Sequence, residues 1–240
     1  MCGRYQLTQK SQPNIQSHYH IDYIHSLKNW KRQYNITPRT MAPIITQENI
    51  HRILHLGFWS MLHPQSKTLD DAMRYSTFNA RTETVHQKST FKQALEKRRC
   101  IIPAEAFFEW IGPKGKKQPL HIHKTDQSFL SMAGLFNLFM PSSTNSQPIY
   151  TFTILTTNPT QWMTRIHNRM PLILSDQQID LWLSSFSTLS EINRLLKSSP
   201  SANFECYPVD GRILNSGLID APECIANIEA NLNPLFKNEY

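Results

Sequence analysis

A thiol stands at position 2, in the opening "MCGRY". An initiator Met before a small residue is ordinarily removed, which would leave Cys2 carrying two nucleophiles on adjacent carbons, an α-amine and a thiol. That pair can trap an aldehyde as a five-membered ring, or serve as base and nucleophile in acyl transfer. Three further stretches put polar side chains where a strand or its end is ordinarily plain. In "FNARTET" (78–84), Asn79, Arg81 and Glu83 alternate and share one face if the segment is extended, as a binding row or as a solvated edge. In "AFFEW" (106–110), Glu109 lies between Phe108 and Trp110. Apolar surroundings raise a carboxyl pKa and suit a general acid near neutral pH, although a strand-end Glu reaching solvent has the same pattern. In "RIHNRMPLIL" (165–174), His167 could shuttle protons and Arg169 could hold a phosphate or carboxylate, or both could be ordinary loop residues.

The elements expected to carry these residues are short strands with a few helices. Residues 11–30 read as a poorly amphipathic helical stretch, followed by an extended segment, "QYNITPRTMAPIIT", interrupted by Pro38 and Pro43. "IHRILHLGFWSML" alternates as a half-buried strand does. "STFKQALEKRR" reads as a short helix with Ser89 or Thr90 as its N-cap. "CIIPAEAFFEWI" and "QPLHIHK" read as two strands joined by the turn "GPKGKK", and "FLSMAGLFNLFM" and "IYTFTILTT" as buried strands. Helices are expected near 159–165, 175–185 and 187–198, and the polar "PSSTNSQP" (141–148) reads as a hairpin loop. The fold class is α+β, with a mixed or antiparallel sheet partly closed on itself. One domain is expected over residues 1–240, with a core from 2 to about 220 and a loose tail from about 229 to 240.

Composition narrows the chemistry. The chain has 240 residues, 40% hydrophobic and 18% charged, and no apolar run long enough to cross a bilayer. A soluble, cytoplasmic protein without a membrane partner is expected. Four scattered cysteines (Cys2, Cys100, Cys206, Cys224) show no zinc-site spacing, so no metal and no disulfide framework is expected. No phosphate-cradling glycine motif occurs, and no organic cofactor is expected. A net charge of +7 and a pI near 9.3 favour polyanions. Cations concentrate in "KSTFKQALEKRR" (88–99) and "PKGKKQ" (113–118).

Taken together, "MCGRY", "YNITP", "FNARTET", "CIIPAEAFFEW", "AGLF", "FTILTTNP", "IHNRMPLIL" and the late "YPVDGRILN" resemble the SRAP family, the SOS-response-associated peptidases or abasic-site processing proteins. The resemblance implies a β-rich, barrel-like core flanked by helices, with the active site in a basic cleft. It implies a monomer that loses Met1, binds single-stranded DNA and joins Cys2 to the aldehyde of an abasic site as a thiazolidine. By that resemblance Asn79, Glu109 and His167 act with Cys2 in catalysis, and Arg4, Arg81 and Arg169 contact DNA. Trp59 is the aromatic expected to stack on bases. The family's "WGLIPSW"-like stretch is here "LGFWSML", with Leu56, Ser60 and Leu62 at the Trp, Pro and Trp places, so weaker stacking is expected. The alternatives are a Cys-dependent peptidase, including self-processing before Cys2, and a non-covalent single-strand binding module. A weak lyase activity through the imine is also compatible with the same residues.

Overall fold

A computed structural model of the chain describes residues 2–8, 12–25, 30–63, 66, 77–141, 147–198, 202–215, 217 and 219–228. The expected tail at 229–240 and most of the 141–148 loop lie outside them. The β-branched and aromatic runs become strands, and five of these close into a ring. Strand β4 (Met41–Glu48) pairs with β5 (His51–Trp59) across a two-residue turn in which Asn49 takes φ 54°, a left-handed value that Asn tolerates. On its other edge β4 meets β7 (Arg99–Ala104), which pairs with β10 (Leu130–Phe139), which pairs with β11 (Ile149–Thr157). Closure comes from a parallel contact between Tyr150–Phe152 of β11 and Gly57–Trp59 of β5. Gly57 makes this seam possible, because a Cβ there would sit 2.9 Å from Phe152 Cδ1 and 3.3 Å from Ile44 Cδ1.

An antiparallel sheet packs on the barrel in the order β14 (Phe204–Pro208), β9 (Gln118–Lys124), β8 (Ala106–Ile111), β1 (Tyr5–Leu7), β3 (Gln33–Ile36). Its inner face, including Tyr5, Leu7, Phe107, Leu120 and Ile122, joins the same hydrophobic cluster as the barrel residues Ile44, Ile101, Leu135 and Phe152. "CIIPAEAFFEWI", expected as one strand, is divided at Glu105 between the barrel (β7) and this sheet (β8). The Glu105 carboxylate anchors the bend by accepting from Thr8 N and Gln6 Nε2, both at 2.9 Å, and from the Thr8 hydroxyl.

The expected helix over 11–30 is shorter: α1 spans Gln12–His18, and His20 at φ 49° turns the chain away. Tyr23 and Ile24 then form β2, parallel to β5, because Asp22 N bonds Arg52 O instead of a helical acceptor. Helix α2 (Ser89–Lys97) buries Phe91, Ala94 and Leu95, and its cap is Lys88 rather than Ser89 or Thr90, since Phe91 N and Lys92 N both bond Lys88 O. Near 159–165 only a short 3-10 turn forms, at Met163–Arg165. Helices α3 (Asp176–Leu183) and α4 (Leu189–Leu196) carry capping boxes, Ser175 with Gln178 and Thr188 with Glu191, each satisfying otherwise orphaned N–H groups. Trp182 of α3 donates its indole N–H to Cys100 O at 2.9 Å, fixing the helix on β7. A last short helix, α5 (Gly211–Asn215), lies against β9.

Candidate active site

Cys2 is brought to the site by strand pairing. Tyr5 and Gln6 oppose Phe107 and Ala106, and Arg4 O accepts from Phe108 N at 3.0 Å. Continuing that register toward the terminus carries Cys2 to the Glu109 end of β8. The Cys2 side chain is fully buried, with Sγ 3.9 Å from Arg4 O. Burial pushes its thiol well above the ordinary range, and the Glu109 charge adds to the rise.

Asn79 arrives from the other sheet. Strand β6 (Asn79–Arg81) lies parallel to β11 just beyond the point where β5 leaves it, with Asn79 opposite Ile154 and Arg81 opposite Thr156. Asn79 Nδ2 donates to Cys2 O at 2.7 Å, and Asn79 Oδ1 is buried without a hydrogen-bond partner among the described residues. The row expected to run on to Glu83 ends at Arg81, where Thr84 N bonds Arg81 O and closes a turn. Arg81 is exposed.

Glu109 is 3% exposed, and burial holds its carboxyl above the ordinary value, against the pull of the amino-terminal charge and of His167. His167, in the loop after the 3-10 turn, sets Nδ1 3.9 Å from Glu109 Oε1. The structure thus brings Cys2, Asn79, Glu109 and His167 together, with Cys2 and Glu109 deepest.

The expected DNA contacts are divided differently. Arg4 Nη1 donates to Asn35 Oδ1 at 2.6 Å and to Leu214 O at 2.5 Å, tying "CGRY" to "YNITP" and to α5. Arg169 is buried and holds both Glu83 carboxylate oxygens, at 2.7 and 3.0 Å, with Asn158 Oδ1 at 3.1 Å. The reading of Trp59 as a stacking surface is corrected. Trp59 is fully buried against Tyr5 and Phe152, and its indole N–H donates to Phe78 O at 2.8 Å. It offers no face to a base and fixes the backbone one residue before Asn79. Ser60 and Leu62 are buried too, whereas Leu56 and Phe58 of "LGFWSML" keep intermediate exposure. Arg99 likewise leaves the cationic surface: its guanidinium bonds the carbonyls of Leu95, Glu96, Trp182 and Ser184. Lys114, Lys116 and Lys117 are exposed.

Sequence reasoning missed Tyr5, a fully buried phenol in the same core cluster as Cys2, whose hydroxyl has no hydrogen-bond partner among the described residues. Its place in "MCGRY" was the available signal. Among the described residues, no three His, Cys, Asp or Glu side chains gather as metal ligands, and no helix is long and apolar enough to cross a membrane.

The family model described as "SOS response associated peptidase (SRAP)" matches residues 1–216. The chain belongs to this family. It is 33% identical to the abasic site processing protein YoqW of Bacillus subtilis over 229 residues, covering 94% of this chain and 99% of that protein. It is 29% identical to the abasic site processing protein HMCES of Gallus gallus, covering 83% of this chain and 67% of that longer protein. The fold is also that of a crystal structure from Bacteroides thetaiotaomicron, with a TM-score of 0.81 at 24% identity, covering 94% and 99% of the two chains. A second, from Bordetella bronchiseptica, has a TM-score of 0.74 at 27% identity, covering 87% of this chain and 100% of that one.

Proposed function

We propose that the protein captures abasic sites in single-stranded DNA by forming a thiazolidine on Cys2 once Met1 has been removed. The observation that carries the reading is the meeting of the Cys2 main chain, held by Asn79, with the Glu109–His167 pair. The ring-opened abasic deoxyribose presents an aldehyde. The Cys2 α-amine, with an ordinary pKa of about 7.7–8.0, is roughly 10–20% neutral at pH 7 and adds to the carbonyl carbon. Loss of water gives an imine, and the water oxygen is the former aldehyde oxygen. The thiol then adds to the carbon of the protonated imine, its proton passes to the Glu109 carboxylate, nitrogen keeps its own hydrogen, and the five-membered ring closes with no redox change.

Each neighbour has a part in that sequence. Asn79 Nδ2 holds the Cys2 carbonyl, leaving Oδ1 as an acceptor for an N–H of the amine. Glu109, kept protonated longer than an ordinary carboxyl, donates to the departing hydroxyl and then takes up the thiol proton. His167 relays protons between Glu109 and the opening. Exposed Arg81 and the lysines at 114–117 supply positive charge for the strand. DNA damage repair as a monomer in the cytoplasm, on the nucleoid when bound, completes the proposal.

The test is incubation with single-stranded DNA carrying one abasic site, followed by denaturing electrophoresis. A lesion-dependent shifted band that survives denaturation is expected. Binding that vanishes on denaturation would leave only the non-covalent module.

A further inference from the structure

Glu83 and Arg169 form a charge pair beside the site that no step above uses. Arg169 is 8% exposed, yet it grips Glu83 with both guanidinium nitrogens, at 2.7 and 3.0 Å. Its guanidinium also donates to Asn158 Oδ1 and to the carbonyl and hydroxyl of Thr156, the residue that opposes Arg81 on β11. Burial alone would raise the Glu83 carboxyl, but the hydrogen bonds from Arg169 hold it below its ordinary value. A fork–fork pair of this kind fixes geometry as well as charge, because both planar groups must be coplanar to keep both bonds.

What this fixes is the main chain of Arg169, and that main chain faces His167. Arg169 N–H lies 3.0 Å from His167 Nδ1, and Arg169 O lies 3.1 Å from the same nitrogen. A neutral imidazole whose Nδ1 accepts from Arg169 N–H carries its proton on Nε2. When Nδ1 gains a proton it can donate to Arg169 O without the ring having to turn. One residue's backbone therefore offers a partner to either protonation state at the nitrogen that faces Glu109.

We propose that Glu83, acting through Arg169, is a positioning residue that sets the His167 tautomer and so prepares Nδ1 to receive a proton from Glu109 once their 3.9 Å gap closes or a water bridges it. Transfer turns a neutral carboxyl–imidazole pair into a carboxylate–imidazolium pair, with net charge unchanged. The proposal rests on the role given above to His167, but its first readout does not require crosslinking. If Arg169 instead serves a DNA phosphate, Glu83 would compete with the strand.

The experiment is nitrogen NMR of the full chain with labelled histidine, the His167 signals being assigned by their loss in His167→Gln. The parent protein should show Nε2–H on neutral His167, with Nδ1 unprotonated. Glu83→Gln and Arg169→Lys should each give mixed tautomers while still unfolding cooperatively. Both should slow crosslinking at saturating DNA by about 10–100-fold, the scale of a catalytic group held slightly out of place. An Nδ1–H tautomer in the parent overturns the proposal, even if neither variant folds. So does a Glu83→Gln protein that keeps the parent tautomer and binds undamaged strand more tightly. If the parent never crosslinks abasic DNA, the function proposed above fails, and the tautomer still decides this inference.

Discussion

Two carboxylates four residues apart in "AEAFFEW" meet opposite fates. Glu105, at the bend between β7 and β8, accepts from Thr8 N, the Thr8 hydroxyl and Gln6 Nε2, and Gln6 Oε1 in turn lies 2.6 Å from His121 Nε2. His121 stacks on Tyr207, and burial and neighbouring His123 hold its pKa down at about 3, so it stays neutral. This network lines a cavity of about 910 Å³ on the face of the sheet turned away from the barrel core. Glu109 points to the other face, where burial raises its carboxyl and a His of intermediate exposure stands 3.9 Å away. Both regions have a carboxylate, an amide and a histidine. The first gives its carboxylate several fixed donors and pins β1 in register. The second holds its carboxyl out of water beside a group that can exchange a proton. Residue types alone do not make a reactive site; a raised proton affinity beside a reachable partner does.

The comparison breaks most completely at the terminus that only the second region serves. An uncleaved N-terminal extension should abolish the stable adduct while leaving the Cys2 thiol in place, because an acylated amine cannot form an imine. Mass spectrometry should find Met1 absent from the active protein. Full crosslinking by a protein shown to retain Met1 would remove the thiazolidine from the proposal.

The two carboxylates can then be set against each other. Glu109→Gln should slow adduct formation by about 10²-fold or more, the scale of a lost general acid, with undamaged-strand binding unchanged. Glu105→Gln should leave the rate per folded molecule near the parent's and cost about 1–3 kcal/mol of stability, since it turns an acceptor toward the Thr8 donors into an amide. Equal losses of rate in both variants would erase the distinction.

A subtler difference lies in stability against pH. The folded protein keeps the Glu109 proton at pH values where the unfolded chain has lost it, so the unfolded state binds fewer protons there. Stability contributed at this position therefore falls as pH rises from the ordinary carboxylate range through the raised folded value. Thermal melts should show Glu109→Gln gaining on the parent across that window and holding the gain above it. A gain confined to acid pH would mean that the carboxyl is not raised. The smallest effect is expected at the rim: Arg81→Ala should lower the log–log salt slope of strand binding by roughly one unit. An unchanged slope would place Arg81 off the phosphate path.

Much of the site is legible in the amino-acid sequence, because its chemistry depends on residue type and local order. Cys2 next to a removable Met, Glu109 within an apolar strand end, and His167 ahead of a proline-marked apolar run can each be read locally, and the family resemblance joins them. Alternation reveals β5, since period two is a local property of side chains on a pleat, and apolar, β-branched runs reveal β7, β10 and β11. What the sequence does not reveal is the partner of each polar group. Trp59 reads as a stacking surface, but the seam between β5 and β11 buries it. Arg169 reads as a ligand for a phosphate or a carboxylate, and only the fold shows that it holds the Glu83 carboxylate. The helix expected over 11–30 loses its second half because Asp22 N bonds Arg52 O, 30 residues away in sequence. Propensity and pattern act over a few residues. Which arginine meets solvent, and which carboxyl is kept from it, depends on how distant strands close on one another, and here that is decided by the sheet pairing that lays the amino terminus along β8.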